Sequence, residues 1–384
     1  MIKKHIKKII KIFSVNKYQP LNRVEINKER LIHNFNLLQK KHPKMSIIPV
    51  LKSNAYGHGL VQIAKILNYV DCDLLAVDGY FEASKTREIT KHKILVMGYI
   101  KPENFKLLDT KRCSFVIQDT DSLIALGSLK KPVNIHIELN TGMNRLGLQP
   151  DELNDYLKTL KQFSNIKLEG IMTHLADADN EIDDSFTNNQ IKLFDDLVKS
   201  ILDQGFSPKY IHIAQTAGST KTKSEYANAL RIGIGLYGIN PLKPNDKHFS
   251  DLNELLPILE LKSTIIKVIS LKAGDKVSYN GIFKAPKAMK VGVLPLGYYE
   301  GVPLKLSNSG IITGDLNINI VGKVCMNHTM IDLSYSKLKV GDEVTIINNN
   351  PNESNSIKQI SEKNNLLNYS IMTNISDITK RVIV

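Results

Sequence analysis

Short runs of apolar residues alternate along roughly the first 240 residues with longer segments whose apolar positions recur at helical spacing. This alternation is typical of a parallel α/β fold, because each buried strand is followed by an amphipathic helix that covers the sheet. One such helix is predicted over residues 188–204. Eight strands are predicted in this part of the chain: 46–51, 73–77, 93–97, 113–117, 133–139, 168–173, 210–214 and 229–232. Eight strand and helix units predict an N-terminal (β/α)8 TIM barrel.

The pattern changes after Pro241 and Pro244, where β-branched segments separated by Gly-Asp turns replace the strand and helix units. Strands are predicted here over residues 263–270, 290–294, 310–313, 318–324 and 343–347. Short strands separated by turns predict a C-terminal, mostly-β domain. We therefore divide the chain into an N-terminal extension (1–20), a barrel (21–250) and a C-terminal β domain (251–384).

Length and composition restrict the class of protein. A chain of 384 residues suits one barrel of about 250 residues and a smaller domain. Cys72, Cys113 and Cys325 are too scattered for a metal site or a disulfide framework, so we expect a reducing compartment and no metal. The net charge is +13, but six lysines and no acid lie within residues 1–20. The remainder is only mildly basic, so we expect no nucleic-acid partner.

The extension alternates isoleucines at helical spacing with lysines and predicts a short basic amphipathic helix. A secretory signal needs an uninterrupted apolar core of roughly seven to fifteen residues, and lysines interrupt this segment throughout. We therefore expect a cytoplasmic protein. Weak attachment to an anionic membrane surface is one interpretation of the extension, and we favour it less than an extension without function.

Polar residues fall where the predicted barrel strands end. Lys52 ends the first strand, Arg145 follows the fifth and His174 ends the sixth, while Arg231 lies on the eighth. Taken singly, a histidine there is more often structural and an arginine more often part of a surface ion pair. Active sites of TIM barrels collect at the carboxyl ends of the strands, so the coincidence of several such residues predicts one shared site.

The turns after the seventh and eighth strands consist of small residues, at positions 214–218 and 233–238. Small side chains let backbone N–H groups converge on an anion, and barrels commonly hold phosphate at this position. The pattern therefore predicts the phosphate-binding end of the site.

A single lysine separates the first strand from a glycine-containing turn. An amine that is flanked by apolar residues and faces a loop is suited to covalent attachment of an aldehyde cofactor. The whole string resembles the pyridoxal phosphate (PLP) lysine motif of the alanine racemase family: Lys52-Ser53-Asn54-Ala55-Tyr56-Gly57-His58-Gly59.

The resemblance spans almost the whole chain from about residue 21 and extends into the second domain. Three further segments are similar to family motifs, in the same order and at similar separations: 277–280 (Val-Ser-Tyr-Asn), 296–301 (Leu-Gly-Tyr-Tyr-Glu-Gly) and 321–330 (Val-Gly-Lys-Val-Cys-Met-Asn-His-Thr-Met). Membership of this family implies fold-type III PLP chemistry in a homodimer whose two active sites are shared between subunits.

Inversion of an α-carbon requires a base on each face of a planar carbanion. The resemblance implies that these bases are Lys52 and Tyr279 of the partner subunit. Because tyrosine is a poor base at neutral pH, nearby cations must stabilise its phenolate. The family's arrangement implies a relay from Tyr279 through His174 to Arg231, which also faces the pyridine nitrogen of PLP.

The resemblance assigns the remaining ligands of the site residue by residue. Arg145 would bind the cofactor's phenolic oxygen and the substrate carboxylate, the Met326 backbone N–H would bind that carboxylate, and Tyr298 would restrict the entrance. The phosphate ligands would be Tyr56, Thr216 and the backbone of Gly233 and Ile234.

Several positions depart from the family's pattern, among them Gln215, Lys323 and Asn327, and three others bear directly on the ligands of the site. Thr216 replaces a serine and keeps its hydroxyl. Asp377 stands where a tyrosine usually completes the phosphate site, which leaves the fourth phosphate ligand undefined. Glu138 occupies the position, seven residues before Arg145, where many members carry a carbamylated lysine. We predict a direct or water-bridged pair between Glu138 and Arg145, because a desolvated guanidinium needs an anion beside it.

The favoured function is the interconversion of L-alanine and D-alanine, which would supply D-alanine for peptidoglycan. Serine or another small amino acid is a second candidate substrate, because a small pocket rejects an added hydroxyl only weakly. A PLP-dependent decarboxylase shares the two-domain layout, but its own phosphate loop and second-domain signature are not found here. A non-catalytic PLP carrier would have no need of the second-domain motifs.

Overall fold

A computed structural model describes residues 19–308, 310–313 and 317–384. The basic helix predicted for the extension falls on residues outside this description, apart from Gln19 and Pro20. No helix in the described ranges is long and apolar enough to span a lipid bilayer.

The first part of the chain alternates strands and helices as predicted. Its strands are β1 (Asn22–Ile26), β2 (Ser46–Pro49), β3 (Leu74–Val77), β4 (Lys93–Val96), β5 (Cys113–Ile117), β6 (Val133–Glu138), β7 (Ile166–Met172), β8 (Tyr210–His212) and β9 (Ala229–Ile232). Its helices are α1 (Lys28–Lys41), α2 (Leu60–Leu67), α3 (Tyr80–Ile89), α4 (Thr120–Gly127), α5 (Leu153–Leu160), α6 (Ser185–Asp203) and α7 (Thr216–Ser219).

The second part is mostly strand. Its strands are β10 (Leu259–Thr264), β11 (Lys267–Leu271), β12 (Lys276–Val277), β13 (Phe283–Lys284), β14 (Met289–Leu294), β15 (Ile311–Thr313), β16 (Asn317–Asn319), β17 (Thr329–Asp332), β18 (Glu343–Ile347) and β19 (Lys380–Ile383). Helices α8 (Ile357–Asn364) and α9 (Asn368–Thr373) lie between the last two strands.

Strands β2 to β9 form an eight-stranded parallel sheet in the order β2-β9-β8-β7-β6-β5-β4-β3. A parallel bridge between Val50 and Ala76 joins the two outer strands and closes the sheet. The predicted TIM barrel is therefore confirmed, and each of its eight strands overlaps a predicted one.

The helices cover the barrel with apolar faces. In α6, Ile191, Phe194, Val198 and Ile201 are buried at intervals of three and four residues, the spacing that keeps side chains on one face. Burial of each such side chain contributes about 2 kcal/mol. The predicted helix over 188–204 is confirmed, with a start three residues earlier.

The barrel interior has an apolar side and a polar side. One buried cluster inside the barrel consists of Ile48, Val50, Leu74, Ala76, Leu95, Val116, Met172, Tyr210 and Ala229. On strands β5 to β9 the interior also holds buried polar side chains: Ser114, His136, Glu138, Glu169, His212 and Arg231. Buried polar groups of this kind need partners, and their partners define much of the site.

The second domain contains a six-stranded sheet in the order β16-β15-β18-β10-β1-β19 and a three-stranded sheet in the order β11-β14-β17. Strand β1 lies within the range 21–250 that the sequence assigned to the barrel, yet it pairs with β10 and β19 in the six-stranded sheet. The first and last strands of the described chain therefore lie side by side.

The single strand predicted over residues 263–270 is divided between β10 and β11. The Ile265 backbone N–H donates to Asp342, whereas the Ile266 N–H donates to Val293 of the other sheet. The chain changes sheets between these two residues, and hydrophobic periodicity alone does not reveal a change of partner.

Candidate active site

The predicted cofactor lysine begins a left-handed turn. Ser53, Asn54 and Ala55 have φ values of 57°, 52° and 53°, and Tyr56 follows with 53°. The turn is closed by hydrogen bonds from Ala55 N–H to Leu51 O (2.8 Å) and from Gly57 N–H to Ser53 O (3.1 Å). A left-handed conformation costs roughly 1–2 kcal/mol per non-glycine residue, so the rest of the protein must stabilise this turn.

The carboxyl-terminal segment provides that stabilisation. Arg381 donates from Nη2 and Nε to the Gly57 carbonyl, at 2.9 and 3.2 Å. The Asn54 side chain donates to Asp377 (2.6 Å) and accepts from the Leu60 N–H (2.7 Å). A Cβ on Gly57 would lie 1.9 Å from the Met372 carbonyl oxygen, so only glycine permits this approach. The turn is thus held from the far end of the chain.

A cavity of about 580 Å3 opens at the carboxyl ends of the barrel strands. It is lined by these residues of the predicted site: Lys52, Tyr56, Glu138, Arg145, His174, Thr216, Arg231, Gly233 and Ile234. Residues that are far apart in sequence therefore share one concave site of the size that suits a cofactor.

One end of the cavity is built around two glycines. A Cβ on Gly233 would lie 2.3 Å from the Tyr56 hydroxyl, and one on Gly235 would lie 2.5 Å from the Thr216 methyl carbon. The Gly235 N–H donates to Thr216 Oγ1 (3.1 Å), which leaves the hydroxyl proton free to donate. Burial raises the pKa of Tyr56, which keeps its phenol protonated as a donor. This end has the donors and the space that a phosphate requires.

The sequence left the fourth phosphate ligand undefined, and the structure shows which side chains near the carboxyl terminus line the cavity. Asp377 accepts a hydrogen bond from Asn54 and is not among the residues that line the cavity. Tyr369 and Thr373 of α9 do line it, and the Tyr369 ring packs on Tyr56 with centroids 5.9 Å apart. Burial raises the pKa of Tyr369 to about 12.

Arg231 is the most constrained cation of the site. Nη1 donates to the His212 carbonyl (2.9 Å) and to His212 Nδ1 (3.0 Å). Nη2 donates to the carbonyls of Thr173 (2.6 Å) and Ile213 (3.2 Å) and to His174 Nδ1 (3.3 Å). Among the described residues Nε has no partner, so it is the donor that remains for a ligand. Burial lowers the pKa of Arg231 to about 10, which still leaves the guanidinium charged at neutral pH.

His174 is neutral in this environment. Burial, together with the charges of Arg231, Arg145 and Lys52, lowers its pKa to about 3. Because arginine only donates, His174 Nδ1 must accept from Arg231, and the ring proton is placed on Nε2. His174 therefore presents an N–H group on the side opposite Arg231.

Glu138 lines the same cavity and is 5 % exposed. Its burial raises the pKa of the carboxyl, while Arg231, Arg145 and Lys52 act in the opposite direction. No direct ion pair within 4.0 Å joins Glu138 to Arg145 in the part of the chain that the structure describes. A water-bridged pair between them stays a prediction.

The other predicted residues lie outside this cavity. Tyr279, Met326 and Tyr298 are 67 %, 55 % and 41 % exposed on the second domain. They belong to one surface: Tyr298 N–H donates to Cys325 O (3.0 Å), and the hydroxyl of Ser278 donates to Lys323 O (2.6 Å). We call Tyr279, Tyr298 and Met326 the second-domain patch. Three large apolar side chains exposed together indicate an interaction surface.

Comparison with known proteins identifies the family of the chain. The sequence model of the alanine racemase N-terminal domain matches residues 26–241, and that of the C-terminal domain matches residues 258–383. The chain belongs to the alanine racemase family. Its membership confirms the expected fold, and the chain is an enzyme that interconverts L- and D-alanine.

Alanine racemases with similar sequences cover nearly the whole chain. The one from Staphylococcus saprophyticus is 30% identical over 377 residues, which are 96% of each chain. The one from Carboxydothermus hydrogenoformans is 32% identical over 367 residues, 94% of this chain and 98% of that protein.

Solved alanine racemase structures share the fold. The Bacillus anthracis enzyme with bound L-Ala-P is 27% identical and superimposes with a TM-score of 0.87 over 96% of both chains. The Bartonella henselae enzyme with covalently bound pyridoxal phosphate is 22% identical and gives a TM-score of 0.81 over 95% of this chain and 100% of that one.

Two histidines and a glutamate of this racemase were not recognised in the sequence. His212 contacts Arg231, His136 contacts His212 and Glu169 faces His136. A signal was present for His136, since it alternates with Glu138 on a predicted barrel strand and such positions share one face. No comparable signal exists for Glu169, whose orientation depends on a register shift between β6 and β7.

Proposed function

We propose that the chain racemises alanine with pyridoxal phosphate attached to Lys52, using Lys52 and Tyr279 of the partner subunit as its two bases. Support comes from the cavity, which collects an amine, a phosphate-sized end and a fixed arginine. Support also comes from the family relative of Bartonella henselae, which carries covalently bound pyridoxal phosphate.

The residues of the cavity fit this cofactor. Lys52 would supply the amine for its aldehyde, and Arg231 would offer its Nε–H to the pyridine ring. Tyr56, Thr216 and the backbone of Gly233 and Ile234 would hold the phosphate. When bound, pyridoxal phosphate withdraws electrons from the α-carbon of an amino acid and so acidifies its proton. Because arginine keeps its proton, the pyridine nitrogen would stay unprotonated, which favours racemisation over side reactions.

Two bases on opposite faces account for inversion. The Lys52 amine would remove or return the α-proton on one face, and the phenol of Tyr279 of the partner subunit would do so on the other. A phenolate needs a donor beside it, and His174 has its Nε2–H available for that role because Arg231 occupies Nδ1. The relay from Tyr279 through His174 to Arg231 is therefore chemically consistent in hydrogen-bond direction.

Substrate recognition would combine both subunits. Arg145 would bind the cofactor's phenolic oxygen and the substrate carboxylate, with Glu138 as its water-bridged partner. The Met326 backbone N–H would bind the same carboxylate from the second-domain patch. Tyr298 would restrict the entrance so that alanine is favoured, although serine would be rejected only weakly. Tyr369 and Thr373 line the cavity, whereas Asp377 does not, so their hydroxyls are our candidates for the fourth phosphate ligand.

The observation that carries the proposal is the separation of the two sets of residues. The cavity contains the cofactor residues, whereas the second-domain patch is exposed on the same chain. Two copies related by a two-fold axis would bring each patch to the other copy's cavity, which makes two complete sites.

Mixing two inactive variants tests this arrangement. Lys52→Ala and Tyr279→Phe should each abolish the circular dichroism change that accompanies conversion of L-alanine to the racemate. After subunit exchange, half of the dimers are mixed and each has one intact site, so about a quarter of the wild-type rate should return. No recovery, with mixed dimers shown by differential tags, would overturn the shared site.

Two further assays distinguish racemisation from the other candidate functions. Release of carbon dioxide from a basic or acidic amino acid would indicate a decarboxylase. Failure to exchange the α-proton of alanine in deuterated water, with cofactor bound, would indicate a carrier. We further infer that the D-alanine serves peptidoglycan synthesis in the cytoplasm, and D-alanine auxotrophy after deletion would support this role.

A further inference from the structure

Behind Arg231 the polar side chains continue through the barrel interior, away from the cavity. We call this set the barrel relay; its members, from the cavity inwards, are Arg231, His212, His136 and Glu169. Both histidines are fully buried, and Arg231 and Glu169 are 3 % and 5 % exposed. Polar groups at such depth are costly unless each finds a partner, so their alignment requires an explanation.

The contacts form a continuous line. Arg231 Nη1 lies 3.0 Å from His212 Nδ1, and His212 Nε2 lies 2.7 Å from His136 Nδ1. His136 Nε2 lies 3.6 Å from Glu169 Oε2, an ion-pair distance slightly longer than a hydrogen bond, and has no hydrogen-bond partner in the described chain. The relay therefore links the cavity to a carboxylate near the opposite end of the barrel.

The direction of the hydrogen bonds is fixed by their two ends. Arginine has no acceptor atom, so His212 Nδ1 must accept and its ring proton must be on Nε2. That proton is donated to His136 Nδ1, which places the proton of His136 on Nε2, toward the carboxylate of Glu169. Burial lowers the pKa of both histidines, so each carries one ring proton. A single pair of tautomers satisfies every contact.

The backbone around His136 fixes the position of its ring at the inner end of the relay. The pairing of β6 with β7 shifts between Ile135 and His136, so that His136 lies opposite Gly170. A Cβ at Gly170 would come within 2.3 Å of His136 Nδ1, so a larger residue would displace the ring.

Glu169 is held ionised beside that ring. Lys93 donates to its Oε1 at 2.8 Å, and the Ser114 hydroxyl donates to Oε2. Burial alone would raise the pKa of Glu169, but the contact with His136 and the hydrogen bonds from Lys93 and Ser114 prevail and lower it to about 2. The line of contacts therefore begins at Arg231, which can only donate, and ends at Glu169, which can only accept.

We propose that Glu169 is a positioning residue for the racemase, which acts through His136 and His212 to hold the Arg231 guanidinium in one orientation. With Nη1 and Nη2 committed to fixed acceptors, Nε–H is the donor presented to the cofactor. Glu138 acts on Arg231 from the cavity side and through space, whereas Glu169 acts from within the barrel through its contact with His136 and the hydrogen bonds that join His136, His212 and Arg231. The expected effect on the racemisation rate rests on the proposed function, whereas the arrangement of the side chains does not.

Nitrogen NMR of the histidines tests the relay without any assay of activity. In the full-length wild-type protein with pyridoxal phosphate bound, two-bond 15N–1H correlations should show His136 and His212 as neutral rings protonated on Nε2. The His136→Asn and His212→Asn variants assign the two signals. A proton on Nδ1 of either ring in the wild type, or a doubly protonated ring, would overturn the proposal, even if the protein proved not to be a racemase.

Glu169→Gln tests the positioning role directly. An amide can donate as well as accept, so the inner end of the relay no longer requires the His136 proton to be on Nε2, and the ring is held by His212 alone. We expect kcat for alanine to fall about tenfold while KM changes less than about twofold, because the orientation of Arg231 affects the reaction step more than alanine binding. Wild-type tautomers together with a wild-type kcat in this variant would refute the role.

A matched control separates positioning from general loss of stability. Glu25→Gln makes the same chemical change at a carboxylate that is paired with Lys262 (2.7 Å) in the six-stranded sheet. It should leave the tautomers of His136 and His212 and the kcat for alanine unchanged. If Glu169→Gln does not fold, the wild-type tautomers decide the question.

Discussion

At the scale of single residues, a carboxylate among cations is the departure that most affects the site. Glu138 lines the cavity with Lys52, Arg145 and Arg231. The carboxylate supplies permanently the negative charge for which a carbamylated lysine would need carbon dioxide. Since burial raises the pKa of Glu138 and the three cations oppose that shift, the charge of this side chain depends on its neighbours.

We predict that Glu138→Gln lowers kcat/KM for alanine about tenfold, because Arg145 loses its anionic neighbour. Glu138→Lys should show low activity in carbon-dioxide-free buffer and recover with added bicarbonate. The wild type and Glu138→Gln should not respond to bicarbonate, which makes them the controls. Equal activity of wild type and Glu138→Gln would show that the carboxylate does not support the site.

A second prediction at this scale concerns His58, which follows the lysine turn. Its ring stacks on Tyr237 with centroids 4.4 Å apart, and burial lowers its pKa to about 4. An unfolded histidine has a pKa near 6.5. Below that value the unfolded chain binds a proton that the folded chain does not, so stability falls as the pH drops from about 6.5 to about 4.

His58→Phe keeps the stacked ring and removes the titration. Between about pH 7.5 and about pH 5, the wild type should lose about 2 kcal/mol more unfolding free energy than the variant. Denaturant unfolding at both pH values measures the difference. Parallel pH dependences of the two proteins would contradict the assignment of this window to His58.

At the scale of elements, the barrel strands could be predicted because each is a continuous apolar run buried on both sides. The runs at residues 113–117 and 229–232 were located to the residue, and the others within a few residues. Strands of the second domain were harder, because their pairing joins distant segments. Strand β1 was missed for this reason: its partners β10 and β19 lie more than 200 residues away.

The site was predictable to the same extent. The residues at strand ends could be located because the geometry of a barrel brings those ends together. The barrel relay could not be located as a set from the sequence. The position of Glu169 depends on the register shift between β6 and β7, and the space for the His136 ring depends on Gly170. The use of Tyr369 rather than Asp377 at the cavity depends on α9, a helix that the sequence did not predict.

The left-handed turn is the element whose strain can be measured. Ser53 has a φ of 57° and its side chain makes no hydrogen bond within the described structure. Glycine adopts this conformation without a steric cost. We predict that Ser53→Gly raises the unfolding free energy by about 0.5–1 kcal/mol, the strain relieved less the entropy that glycine adds to the unfolded chain.

The matched control for this prediction is Ser200→Gly in α6, where the backbone is helical and the substitution should lower the unfolding free energy by about 1 kcal/mol. Denaturant unfolding of both variants measures the two changes in unfolding free energy, which should have opposite signs. A loss of stability in Ser53→Gly similar to that in the control would show that the turn is not strained in solution.

At the scale of the whole molecule, the end of the chain supports the turn at Lys52, the proposed cofactor lysine. Arg381 on β19 is 8 % exposed and donates to the carbonyls of Gly57, Ile375, Ser376 and Thr379. Strand β19 pairs with β1, which pairs with β10, so the second domain is continuous with the contact that fixes the lysine turn. Residues of both domains therefore stabilise the turn that follows Lys52.

Arg381→Leu should consequently affect the site from outside it. Removal of the guanidinium leaves buried carbonyls without donors, which should lower the unfolding free energy by about 2–4 kcal/mol. The released turn should weaken pyridoxal phosphate binding about tenfold, measured by the fluorescence of the bound cofactor in titrations. Lys380→Ala, an exposed neighbour on the same strand, should bind the cofactor as the wild type does. If both variants bound it equally, the carboxyl-terminal segment would stabilise the fold without positioning Lys52, and the strained turn would have to be held by its own hydrogen bonds.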